Sequence, residues 1–129
     1  MPETLELEIL NSPAAFSALK SIYNADAEEF WGIFLDHHLQ IKQLKLLHRG
    51  TLESCTVHPR DLFREAVRMN AFAMIIAHNH TSLNLQPSFQ DIKLTKKLRK
   101  LSLLLEIPII DHIIFSDADY FSFKEHQLI

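Results

Sequence analysis

The sequence predicts an α/β fold in which helices flank a mixed β-sheet. Three observations carry this. Residues 72–77 and 107–115 are short, nearly continuous apolar runs, the pattern of strands buried on both faces. Residues 30–35 are bulky and apolar, and after Asp36-His37-His38 an imperfect alternation follows over 40–47, which reads as a hairpin. Segments of helical period separate these runs, and strands alternating with helices specify layers of both kinds.

The elements follow in order. Ser12-Pro13 reads as an N-cap with proline in the first turn, and a helix is expected to run to about Asn24 with Phe16, Leu19, Ile22 and Tyr23 on one face. The hairpin comes next and is broken at Gly50-Thr51. Pro59 opens a second helix carrying Leu62, Phe63, Ala66, Val67 and Asn70. The run 72–77 ends at His78, and a loop over 81–87 leads to a helix over about 88–105, with Ile92, Leu98, Leu101 and Leu105 inward. The strand 107–115, a turn at Asp117-Ala118-Asp119 and a short strand over 120–123 complete the chain.

With 129 residues there is room for one domain spanning 1–129, with 1–11 as an N-terminal extension. No apolar run approaches the roughly 20 residues of a membrane helix. The acidic start MPETLELEIL lacks the basic and apolar regions of a signal peptide, so a cytoplasmic protein is expected. Cys55, the single cysteine, excludes an intrachain disulfide and the zinc deaminases, whose metal needs a cysteine pair; it reads as a small buried residue. A net charge of −3 argues against a domain built to coat nucleic acid. Lys93, Lys96, Lys97, Arg99 and Lys100 form a local basic exception, read first as a solvated helix face.

The chemistry concentrates in His78-Asn79-His80 followed by Ser88 and Asp91, a pattern H-x-H-x7-S-x2-D. Residues i and i+2 of an extended segment point to one face, so both imidazoles can reach one ion. Asp91, in the first turn of the next helix, supplies a carboxylate. Two imidazoles and a carboxylate make the open ligand set of a catalytic zinc site, and equally the facial triad of a non-haem Fe(II) enzyme. Ser88-Phe89-Gln90-Asp91 is also a capping box that needs no metal, and the two roles are compatible.

This pattern, with an upstream glutamate, resembles the JAMM/MPN metalloprotease motif. More closely, the chain resembles the C-terminal domain of the RadC family, through Gly50-Thr51, Val57-His58-Pro59-Arg60, Ala77-His78-Asn79-His80, Pro87-Ser88, Asp91-Ile92, Leu94-Thr95 and Asp111-His112-Ile113-Ile114. The resemblance covers about residue 12 to the C-terminus. It implies a cytidine-deaminase-like JAMM/MPN fold with Zn²⁺ held by His78, His80 and Asp91. The family's glutamate is best matched by Glu29, with the adjacent Glu28 as the alternative; at a strand start the two face opposite sides. Glu29 would take the proton of a zinc-activated water, and Ser88 would hydrogen-bond the oxyanion. Asp111-His112 is expected behind the ligands or in sheet packing. The loop Thr81-Ser82-Leu83-Asn84-Leu85-Gln86 departs from the family's Pro-Ser-Gly-Asp, and these 129 residues leave no room for the helix-hairpin-helix region of longer members, so either a standalone domain or one excised from a longer protein is expected.

The resemblance thus implies a zinc-dependent peptidase or isopeptidase acting on a peptide or protein substrate. The alternative is a catalytically silent metal-binding interaction domain linked to DNA repair or processing. Binding of nucleic acid by this domain alone is expected to be weak or absent, no membrane is expected as partner, and a homodimer is compatible with the reading.

Overall fold

The computed structural model describes residues 12–50, 57–82 and 84–129. Helix α1 (12–20) is followed by strands β1 (Glu29–Leu35) and β2 (Ile41–Arg49). Helix α2 (Pro59–Arg68), strand β3 (Ala73–Asn79), helix α3 (Phe89–Leu104) and strands β4 (Ile109–Phe115) and β5 (Tyr120–Ser122) complete the order. The five strands form one sheet in the order β2-β1-β3-β4-β5. Only β3 and β4 run parallel, joined across α3; the other neighbours are antiparallel. The predicted mixed sheet flanked by helices is therefore the fold observed.

Alternation along the strands divides the core. Trp31, Ile33, Leu35, Ile75 and Ala77 face Ala15 and Leu19 of α1. Phe30, Phe34, Met74 and Ile76 face Leu62, Phe63 and Ala66 of α2 and Leu98 of α3. The described residues thus form three layers, one helix on one face of the sheet and two on the other. Gly32 is in mid-strand for a packing reason. A Cβ there would lie 2.8 Å from the Phe34 ring and 3.3 Å from Leu62 Cδ1, so the bare backbone makes room for the ring beneath α2.

A β-bulge in β4 bears on the site. Between Met74 and Ile75 of β3 the partner advances two residues, from Ile109 to Asp111. Ile109 packs on the α2–α3 side, and simple alternation would turn His112 away from it. The extra residue resets the alternation. Ile113 and Phe115 face α1, and His112 turns toward α3.

Several boundaries and faces differ from expectation. β3 begins at Ala73, since Phe72 is 54% exposed, and it runs on through His78 to Asn79. Helix α1 ends well before Asn24 and leaves Ile22 exposed. In α2, Val67 is exposed, and the chain leaves the helix through Asn70 at φ 51, a left-handed conformation that asparagine tolerates. Leu105 caps the C-terminus of α3 and is half exposed, whereas Ile92 and Leu101 pack inward as expected; the buried positions of that helix are Asp91, Thr95, Leu98 and Ser102. A polar side chain thus occupies three of four buried places on α3, and apolar periodicity does not detect them. The turn at Asp36 is as expected, its Oδ1 accepting from the N–H of His38 and Gln40. The readings of Cys55, of Thr51 and of the extension 1–11 lie outside the described residues. No described helix is long and apolar enough to cross a membrane.

Candidate metal centre

The C-terminal end of β3 and the N-terminus of α3 meet at one point, on the face of the sheet that α3 covers. His78 lies in the strand and His80 one residue past its end, held by its N–H to Phe115 O at 3.2 Å. Their Nε2 atoms are 3.0 Å apart, as side chains two apart on an extended segment allow. Asp91 Oδ1 lies 3.3 Å from His78 Nε2, and Oδ2 lies 3.4 Å from His80 Nε2. Among the described residues, these three form the cluster of side chains able to hold an ion, with a donor atom from each within 4.8 Å of the others.

The donor set fits a metal cation. Two imidazoles and one carboxylate are donor types of a zinc site, and the carboxylate faces both rings, Oδ1 toward His78 and Oδ2 toward His80. The second nitrogen of each imidazole is engaged elsewhere, as ligand histidines require. His80 Nδ1 donates to Asn84 O at 2.9 Å, and His78 Nδ1 meets His112 Nε2 at 2.8 Å. The loop that departs from the family pattern therefore orients a ligand. Gln86 N donates to Asn84 Oδ1 at 3.0 Å and Leu85 packs near Ile114, Phe121 and Phe123, which anchors that loop.

One carboxylate both caps the helix and faces the two histidines. Ser88 Oγ accepts from Asp91 N at 3.0 Å, and Asp91 Oδ2 accepts from Ser88 N at 2.8 Å, a complete capping box. The box fixes the carboxylate in the first turn of α3, where the helix dipole favours an anion. Burial pushes the Asp91 carboxyl up, but His78, His80 and the Ser88 N–H together hold it well below the usual carboxylate range. Burial lowers the pKa of His78, and burial holds His112 well below the ordinary imidazole value. The hydrogen bond to Asp91 raises that of His80.

Glu29 does not reach this site. Phe30 pairs with His78 across β1 and β3 and its ring stacks on the imidazole at 6.3 Å. Cross-strand partners share a face, so Glu29 points to the opposite one. There its buried carboxylate accepts from Asn24 N at 2.9 Å and Trp31 Nε1 at 3.2 Å, and pairs with Arg49 Nε at 2.8 Å. The expectation that Glu29 faces the metal is thus corrected by the pleat of β1. Glu28 falls on the other side, and its negative charge acts on both His78 and His80.

Two further features carried no signal in the spacing. Asn79, between the ligand histidines, accepts from Glu29 N at 2.7 Å through Oδ1 and donates to Ala27 O at 2.8 Å through Nδ2. It grips the backbone on both sides of Glu28. Asp111, in contrast, is a tie rather than a site residue. It accepts from Ser12 Oγ, from Ser122 Oγ at 2.6 Å and from Lys124 N at 2.9 Å, joining α1 to β5.

A family model described as a RadC-like JAB domain matches residues 9–128. The chain belongs to this family. The mixed five-stranded sheet with its helices accords with a JAB/MPN-like fold, and the His-His-Asp cluster makes it a RadC-like domain with the side chains to bind a metal ion. Among its relatives, a UPF0758 protein of Thermosynechococcus vestitus is 41% identical over 123 residues, covering 93% of this chain and 49% of the relative. One from Actinobacillus pleuropneumoniae is 38% identical over 122 residues, covering 93% and 56%, and one from Haemophilus influenzae is 35% identical over 129 residues, covering 98% and 58%. The RadC-like domain thus spans about half the length of the curated relatives it matches.

Proposed function

We propose that this RadC-like domain is a zinc-dependent metallohydrolase that cleaves peptide or isopeptide bonds. The observation that carries the reading is the convergence of His78 Nε2, His80 Nε2 and the Asp91 carboxylate within 4.8 Å of one another, with Glu28 rather than Glu29 acting on both histidines. Zn²⁺, when bound, supplies Lewis acidity and a water made acidic near neutral pH. His78, His80 and Asp91 hold it. Glu28 takes up a proton at its carboxylate and returns it to the leaving amine. Ser88 accepts from Asp91 N and so keeps its hydroxyl hydrogen to donate to a developing oxyanion at the mouth of α3. Asn79 holds Ala27 and Glu29, so the segment carrying Glu28 is fixed to the strand that carries the ligands.

The test is metal content. Protein purified without chelator should hold about one equivalent of zinc by elemental analysis. Asp91→Ala should lose most of it. Zinc retained in full by a His78→Ala, His80→Ala double variant overturns the reading.

A further inference from the structure

Both ligand histidines need a lone pair on Nε2, and a neutral imidazole carries its one hydrogen on either nitrogen. For His80 the choice is made by the Asn84 carbonyl, which can only accept. For His78 the partner is a second imidazole, His112, which can donate or accept, so the choice is passed on. His112 Nδ1 meets Thr95 Oγ1. The single hydroxyl hydrogen of Thr95 goes to Asp91 O at 2.8 Å, one helical turn back along α3. With its hydrogen so placed, Thr95 Oγ1 accepts from His112 Nδ1–H. The Nε2 of His112 is then the lone pair and accepts from His78 Nδ1–H, leaving His78 Nε2 bare at the cluster.

We propose that Thr95 and His112 are positioning residues, a buried relay that begins on the backbone carbonyl of Asp91 and fixes the tautomer in which His78 can bind a metal. This rests on the metal reading above. The third ligand thereby sets the first: the helix that brings Asp91 also brings Thr95, and the bulge in β4 aims His112 between Thr95 and His78. The relay is sealed from water, with Thr95 at 2%, His112 at 0% and His78 at 1% exposure. Phe123 stacks on the His112 ring at 4.5 Å, and Phe30 meets it edge-on at 6.2 Å.

The experiment uses the ¹⁵N-labelled full chain, first free of metal. Long-range ¹H–¹⁵N spectra of the imidazoles should show His78 and His112 as Nδ1–H tautomers. Thr95→Val keeps the shape and removes the hydroxyl. It should release His112 to the other tautomer, turn part of His78 to Nε2–H, and weaken Zn²⁺ binding about 10–100-fold in a chelator competition. Thr95→Ser should restore most of the affinity. An Nε2–H on His78 of the wild type overturns the relay without recourse to any variant. So does a Thr95→Val protein with unchanged tautomers and affinity, or a Thr95→Ser protein as weak as Thr95→Val. Wild-type protein with the expected tautomers and no zinc affinity supports the relay and overturns the metal reading instead.

Discussion

Glu28 and Glu29 are adjacent and chemically identical, yet the fold gives them unrelated work. Glu29 is a buried anion held by Arg49, Trp31 and the Asn24 N–H. Glu28's negative charge acts on both histidines, less strongly than burial and Asp91 do. Their glutamine variants should therefore separate cleanly. Glu28→Gln should keep the zinc and abolish any hydrolytic activity. Glu29→Gln should keep the activity and lose about 1–3 kcal/mol of stability, because the charge-assisted hydrogen bonds that the buried carboxylate accepts from Arg49, Trp31 and the Asn24 N–H are weakened. Urea unfolding of the two variants, beside zinc content and turnover, makes the comparison. Loss of activity in Glu29→Gln at unchanged stability would return the catalytic role to Glu29.

At the scale of elements, the site is a junction of β3, α3 and the segment leading into β1. The capping box sets α3, and the His80 N–H to Phe115 O bond carries the β3–β4 ladder past the last strand residue. The remaining member, the segment at 27–29, is tied to β3 by the Asn79 side chain. Asn79→Ala should leave the metal ligands in place while loosening that segment. The Glu29 amide reports this directly, since its hydrogen is given to Asn79 Oδ1. Its exchange with solvent should quicken by about tenfold, the loss of a buried hydrogen bond of about 1–1.5 kcal/mol. Unchanged exchange at Glu29 would show that backbone pairing alone holds the segment.

At the scale of the molecule, charge is the feature that bears on partners. The exposed side chains of Lys93, Lys96, Lys97 and Lys100 line one face of α3, while the chain as a whole carries a net charge of −3. A face of four lysines contacts few phosphates, and the acidic remainder opposes the approach. Duplex DNA should bind this domain weakly, without sequence preference, and more weakly as salt rises. A fluorescence titration at two salt concentrations, repeated with the four lysines changed to glutamine, measures this. Nanomolar binding at physiological salt that disappears in the variant would make α3 a nucleic-acid surface and favour a DNA-linked role.

The sequence by itself determined the layers and the three side chains able to hold a metal. Continuous apolar runs marked β3 and β4, and Pro59 marked the start of α2. Ser88 with Asp91 marked the start of α3, and the spacing of two between His78 and His80 placed both on one face. These are local properties, carried by periodicity, capping and pleat. What only the tertiary structure decided depends on registers between elements distant in the chain. Which of two adjacent glutamates faces the histidines follows from the pairing of Phe30 with His78. Which way His112 points follows from a bulge that leaves no trace in an apolar run. That Thr95, Asn79 and the Asn84 carbonyl serve the site follows from hydrogen bonds whose ends come together only once the sheet has formed. A ligand must be a particular residue type at a particular spacing, and that is written in the chain. The groups that orient it need only arrive at the right place, and folding alone brings them there.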